Sequence, residues 1–257
     1  MLFSADFLTG QLLQYFLPLV RIAAFMLAAP VFGSRLINTR ARLLLALLLT
    51  YIIAPGLPVM PPISGFSLDI WVLVMQQTLI GLAAGFSMQL AFQVAVLAGQ
   101  YIAMKMGLGF ASMNDPASGL TVTVVSQYYL MLVTLLFVVG DGHLLMLRLL
   151  AESFYTTPIG VSMPLALLWD LVTAGSWMFG AALLIALPVL TSLMIVNIGF
   201  GVMGRSAPQM NIFTVGFPIT LILGAFLIWF GFTTFLGNYS QFMQDGFSIL
   251  RHLFNIS

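Results

Sequence analysis

Asp141-Gly142-His143 sets a carboxylate and an imidazole two residues apart, a pairing that could serve acid–base chemistry. No nucleophile in a recognisable motif and no second histidine stands near them, so an active site lacks its third member. Asp141 therefore reads as the N-cap or first-turn residue of a helix from about Gly142 to Phe154. On that helix Arg148 and Glu152 are four residues apart and can form an ion pair. In apolar surroundings charges need partners, so Asp141, Arg148 and Glu152 read as a buried charge network, with a proton or ion relay as the alternative. Two histidines and no cysteine leave almost no raw material for zinc, iron–sulfur or thiol chemistry, and no metal or cofactor is expected.

A second segment carries a different kind of chemistry. Gly107-Leu108-Gly109-Phe110-Ala111-Ser112-Met113-Asn114-Asp115-Pro116-Ala117-Ser118-Gly119 combines three glycines, an Asn-Asp-Pro turn and the bulky Phe110 and Met113. It lacks the Gly-Lys-Ser or Gly-Lys-Thr ending of a phosphate loop. Irregular backbone at membrane depth survives only inside protein or beside a watery cavity, which places this loop at a lumen or a subunit interface. Met104, Met106 and Met113 around it are deformable side chains suited to a gasket, against the plainer reading as helical filler. Gly81 with Gly85, and Gly199, Gly201 and Gly204, have the small-residue spacing that lets helices approach closely.

The elements that hold these residues must be apolar helices. The 257-residue chain is 61% hydrophobic and 6% charged, with mean hydropathy +1.11. A soluble domain carries about a quarter of its residues as charges, so this chain is an integral membrane protein or the buried member of an assembly. A net charge of +1 gives no electrostatic footprint for nucleic acid. No basic region precedes the first apolar run, which Arg21 interrupts, so that run is expected to be part of the mature protein.

Apolar segments fall at Phe7 to Ala29, Leu43 to Ile53, Ile70 to Met104, Leu120 to Gly140, Leu171 to Gly204 and Ser206 to Gln244. None alternates as a strand does, so the chain reads as all-α. Leu43 to Ile53 is too short to span alone, because a bilayer needs about 20 helical residues. Three other segments are too long for one span each, and kinks at Pro188 and Pro218 and breaks at glycines are expected. Pro55, Pro58, Pro61 and Pro62 form a stiff connector, after which a helix starts with Asp69 near its N-terminus. Arg35, Arg40 and Arg42 form the one basic cluster, either a cytoplasm-facing signal or a subunit contact.

Four blocks carry a family resemblance. They are Arg21-Ile22-Ala23-Ala24-Phe25 leading to Ala29-Pro30-Val31-Phe32-Gly33, the run KMGLGFASMNDP from Lys105 to Pro116, Asp141-Gly142-His143-Leu144-Leu145, and Val196-Asn197 with GVMGRSAPQMNIFTVGF from Gly201 to Phe217. In this order they resemble the FliR family of the bacterial type III export gate, which has relatives in virulence injectisomes. Asn38 and Thr121 stand where many relatives have proline, loosening two turns at most.

The resemblance implies an all-helical export-gate subunit of kinked long helices and hairpins, and not an enzyme. Its first part, 1–162, would be FliP-like and contain a plug loop, and 163–257 would be a FliQ-like hairpin with a C-terminal tail. One copy would close a ring with FliP-like and FliQ-like subunits beside an FlhB-like protein. Exported flagellar proteins would pass through that ring. The expected location is the bacterial inner membrane at the flagellar basal body, with much of the assembly raised towards the periplasm. Met106, Gly107, Leu108, Gly109, Phe110, Ala111, Ser112, Met113, Asn114, Asp115 and Pro116 match the family's plug. Residues alone leave a secondary transporter as the rival, which calls for an internal repeat that the unequal halves do not display.

Overall fold

The structure, a computed structural model, describes residues 5–34, 37–57, 68–108, 123–161, 164–206 and 212–256. Among them there are helices and no strands: α1 (Ala5–Ala28), α2 (Thr39–Ile53), a 3-10 turn (Ala54–Gly56), α3 (Leu68–Lys105), α4 (Val124–Val139), α5 (Gly142–Thr156), α6 (Leu165–Ser206), α7 (Ile212–Phe230) and α8 (Phe232–Leu253). Four described segments are long and apolar enough to cross a membrane, and up to six are if each sharply bent helix pair counts as one span. The chain is thus the all-α, multi-pass type that its composition requires.

One expectation about segment length needs correction. Leu43 to Ile53 is not too short, because α2 begins at Thr39 and the 3-10 turn continues it, so that Thr39–Gly56 qualifies as a span. Asn38 starts this helix, its side-chain oxygen accepting from the Arg40 N–H at 3.0 Å, which brings both Arg40 and Arg42 into the first turn. Pro55 sits at the start of the 3-10 turn, where its missing N–H costs nothing.

The expected glycine break occurs in one of the three long segments, Ser206 to Gln244, at Gly231, whereas the other two stay helical through their glycines. α3 runs 38 residues through Gly81, Gly85 and Gly99, and α6 runs 42 residues through Pro188. The glycines of α3 serve close packing instead. Breaks fall where the chain leaves helical geometry altogether: α4 and α5 meet at 69° across Gly140-Asp141, and α7 and α8 at 60° across Gly231. Asp141 is a non-glycine residue at φ +54°, a conformation that ends one helix and starts the next.

The residues group into two compact units. The first comprises 1–90, 137–175 and 245–257, and the second 91–136 and 176–244. In the first, α1 lies along the N-terminal half of α3. A Cβ on Gly81 would strike the Arg21 carbonyl, with Ala24 Cβ at 2.9 Å, and one on Gly85 would meet the Phe25 carbonyl at 2.7 Å and Ala28 Cβ at 2.7 Å. Contact positions rise together along both chains, so the two helices run parallel. Leu17, Ile22, Phe25, Met26, Ile80, Met88, Leu149 and Phe154 fill this core. In the second unit Gly99 lies 2.7 Å from the Ser126 Cα by the same measure, and Tyr129 meets Phe235 edge-on at 4.9 Å.

Large apolar side chains remain uncovered, including Leu44, Leu48, Tyr51 and Ile52 on α2 and Leu184, Ile195, Ile198 and Val202 on α6. By contrast 67% of the α3 window is buried within the chain. α3 is thus buried along most of its length, whereas α2 and α6 leave broad apolar surface uncovered within the chain.

Candidate functional site

The most elaborate polar site in the first unit is built on Arg21, which is fully buried within a candidate span of α1. Its Nε donates to Gln77 Oε1 at 2.7 Å, Nη1 to the Ser153 carbonyl at 3.1 Å and to Ser153 Oγ at 3.3 Å, and Nη2 to the Thr157 carbonyl at 2.9 Å. The guanidinium also lies 4.3 Å from the Phe154 ring centroid. Every hydrogen-bond acceptor in this set is neutral. Ser153 and Thr157 belong to the C-terminal turn of α5 and the residue just past it, where helix-end carbonyls collect the negative end of the helix dipole; the Ser153 carbonyl also accepts from the Thr157 N–H at 2.9 Å. Arg21 thus caps α5 from another helix, and its fork joins α3 to the end of α5.

The stripe that receives α1 on α3 is Gln77, Gly81 and Gly85, four residues apart and so on one face. Glycine at the last two positions brings the backbones together, and Gln77 at the first meets the one charge in the contact. Its Nε2 is buried without a hydrogen-bond partner. The sequence reading identified Gly81 and Gly85 as packing residues and did not identify Arg21 as a site. A lone arginine inside an apolar run was the available signal, since such a charge must find acceptors.

In the second unit, α3 ends where the expected plug loop begins. The Gly107 N–H bonds the Met104 carbonyl at 3.2 Å and the Leu108 N–H the Ala103 carbonyl at 3.0 Å. Gly107 adopts φ +85°. This is a Schellman ending, in which glycine takes the left-handed position at no steric cost. Met106 is buried against Gly224 of α7, where a Cβ would lie 2.5 Å from its Cγ. Phe217 Cδ2 stands 2.9 Å from where a Gly107 Cβ would be, and Thr220 Oγ1 donates to the Met106 carbonyl at 3.3 Å. Gly109, Phe110, Ala111, Ser112, Met113, Asn114, Asp115 and Pro116 lie outside the described residues.

The charges on α5 are arranged differently from expectation. Arg148 Nε and Glu152 Oε1 pair at 2.9 Å, but their side chains are 76% and 37% exposed. Asp141, also exposed, is the residue before α5, yet its side chain makes no capping bond; its carbonyl accepts from the Leu144 and Leu145 N–H groups instead. Within this chain the three are therefore not a buried network. The pair lies on the outward face of α5, whereas Met146, Leu149, Leu150, Ser153 and Phe154 face inward. His143 keeps a buried Nδ1 without a hydrogen-bond partner.

Among the small residues of α6, Gly199 and Gly201 meet nothing within 4 Å, and Gly204 is half-buried. The first two make no close helix contact inside the chain. Near the chain's end, Leu167, Asp170, Leu171, Ser248, Ile249, His252 and Leu253 line a cleft of about 330 Å³, with His252 Nδ1 3.8 Å from Asp170 Oδ2. Among the described residues no cluster of His, Asp and Glu is arranged to hold a metal ion.

Residues 12–246 match the family described as "Bacterial export proteins, family 1". The flagellar biosynthetic protein FliR of Pectobacterium carotovorum is 44% identical over 213 residues, covering 82% of this chain and 81% of that protein. FliR of Escherichia coli K12 is 44% identical over 219 residues, covering 83% and 82%. FliR of Aquifex aeolicus is 31% identical over 253 residues, covering 97% of this chain and 95% of its own.

Proposed function

The chain belongs to the bacterial export proteins of family 1, and from that membership we propose that it is a subunit of the flagellar protein export gate. It is a multi-pass membrane component of the flagellar export apparatus, whose work is structural. One copy closes a ring with FliP-like and FliQ-like subunits beside an FlhB-like protein, in the bacterial inner membrane. Residues 1–162 form the FliP-like part and 163–257 the FliQ-like hairpin and tail. The uncovered apolar faces of α2 and α6 are of a kind that other subunits cover in such a ring.

The segment from Met106 to Pro116 acts as the plug across the channel, and its bulky Phe110 and Met113 supply the occlusion. The match over residues 12–246 carries this reading, since it includes the whole of that segment. The plug is weakly held, because a substrate opens it only by the difference in its affinity for the two states.

Two experiments test the proposal. Native mass spectrometry of the chain co-expressed with its neighbouring genes, in mild detergent, is expected to find one copy with several copies of two other small membrane proteins. A lone monomer or dimer would refute the gate reading. Deleting Gly107 to Asp115, or changing Phe110→Ala, is expected to make the membrane leak ions while export continues. Unchanged permeability in an assembled gate would refute the plug.

A further inference from the structure

The proposed plug continues from the end of α3. Three contacts determine where it leaves α3, and all come from α7. Met106 lies in the space that the missing Gly224 side chain leaves, its Cγ, Sδ and Cε all within 2.7 Å of where a Cβ would be. Phe217 lies over Gly107, which already needs glycine for its φ of +85°. Thr220 donates its hydroxyl to the Met106 carbonyl.

We propose that the face of α7 carrying Phe217, Thr220 and Gly224 is a releasable seat for Met106 and Gly107, and that these α7 residues position the gate loop through its base. This rests on the plug reading and adds the element that controls it. Release gives up the burial of Met106 but leaves no hydrogen-bond donor unpaired. The Thr220 hydroxyl bonds the Phe217 carbonyl of its own helix at 2.9 Å, closer than the 3.3 Å to Met106, so lifting Met106 strands no donor. The Met106 thioether is flexible and can repack on either side of the movement. The Schellman hydrogen bonds lie within α3 and its cap, so they travel with the loop base when it lifts. A shift or rotation of α7 within the assembled gate would withdraw the glycine pocket and free Met106 and Gly107 to move.

The test uses the full chain in the assembled gate. Gly224→Val places methyl groups where the Met106 thioether lies, and overpacking of this kind is expected to raise ion permeability roughly tenfold. Adding Met106→Ala vacates the space and is expected to return permeability towards the wild-type level, a rescue that general damage to α7 would not show. An assembled Gly224→Val gate as tight as the wild type would overturn the proposal.

Should Gly224→Val fail to assemble, the pair Met106→Cys with Gly224→Cys decides the matter, because the chain has no other cysteine. Gly224's Cβ position is 2.5 Å from Met106 Cγ, so the two Cβ atoms are within about 4 Å, inside disulfide range. Oxidation is expected to form the bond and block export until a reductant is added. Absence of the bond, or a bond that leaves export unchanged, would overturn the seat. The deletion of Gly107 to Asp115 separates the two readings. If that gate stays tight the plug itself is wrong; if it leaks while Gly224→Val does not, only the seat is.

Discussion

Arg21 Nη2 donates to the carbonyl of Thr157 at 2.9 Å, so that a side chain from the first helix completes the end of the fifth across 136 residues of sequence. The contact explains how a chain with so few charges holds one of them fully buried. It pairs the guanidinium with helix-end carbonyls, whose partial negative charge substitutes for a carboxylate.

Replacing Arg21 with Ala strands the Gln77 Oε1 and the Thr157 carbonyl, at a cost of about 1–3 kcal/mol for each buried group left unmade, while the Ser153 carbonyl keeps its bond from the Thr157 N–H. The last turn of α5 is expected to exchange its amide hydrogens at least tenfold faster, read by hydrogen–deuterium exchange. Arg21→Lys should recover only part of the protection, since one ammonium cannot reproduce the fork.

Gly85→Val drives a side chain onto the backbone of α1, where the Phe25 carbonyl stands 2.7 Å from even a Cβ. Overpacking against backbone costs at least about 1–3 kcal/mol, and the yield of protease-resistant chain should fall. Gly199→Val meets open space and should leave the isolated chain's protease resistance unchanged. Any loss of gate assembly in that variant then reports a contact with another subunit.

The Arg148–Glu152 pair, being exposed, should contribute only about 0.3–0.5 kcal/mol. A double-mutant cycle with Arg148→Met and Glu152→Gln checks this through thermal unfolding. Export by the Glu152→Gln gate distinguishes the roles: near-normal export accords with a surface pair, and severe loss would restore a relay.

Tyr155 Oη donates to the Gly56 carbonyl at 2.9 Å and ties the 3-10 turn after α2 to the end of α5. Tyr155→Phe removes that bond alone, and a loss of about 1 kcal/mol is expected. Faster proteolysis near residue 57 is the measurement.

Much of this architecture was legible in the residues. An apolar composition without alternation requires helices, because a backbone in lipid must satisfy its own polar groups. Gly81 and Gly85 stood out because small residues four apart have a single common use on a buried helix, close approach. The family blocks from Lys105 to Pro116 and Gly201 to Phe217 were equally plain, and they contain both sides of the contact between Met106 and Phe217, Thr220 and Gly224 apart from its last residues. Nothing in either block says that they meet.

What the residues left open concerns neighbours rather than types. Arg148 and Glu152 have the same spacing whether their helix face points inward or outward, and only the packing of Met146, Leu149 and Phe154 turns it outward. Gly199 looked no different from Gly85 until a second helix stood 2.7 Å from one and none from the other. Helical character follows from local hydrogen bonding and hydrophobicity, which are properties of consecutive residues. The acceptors of Arg21 and the seat of Met106 come from residues more than 50 and more than 100 positions away, brought there by the close packing of whole helices.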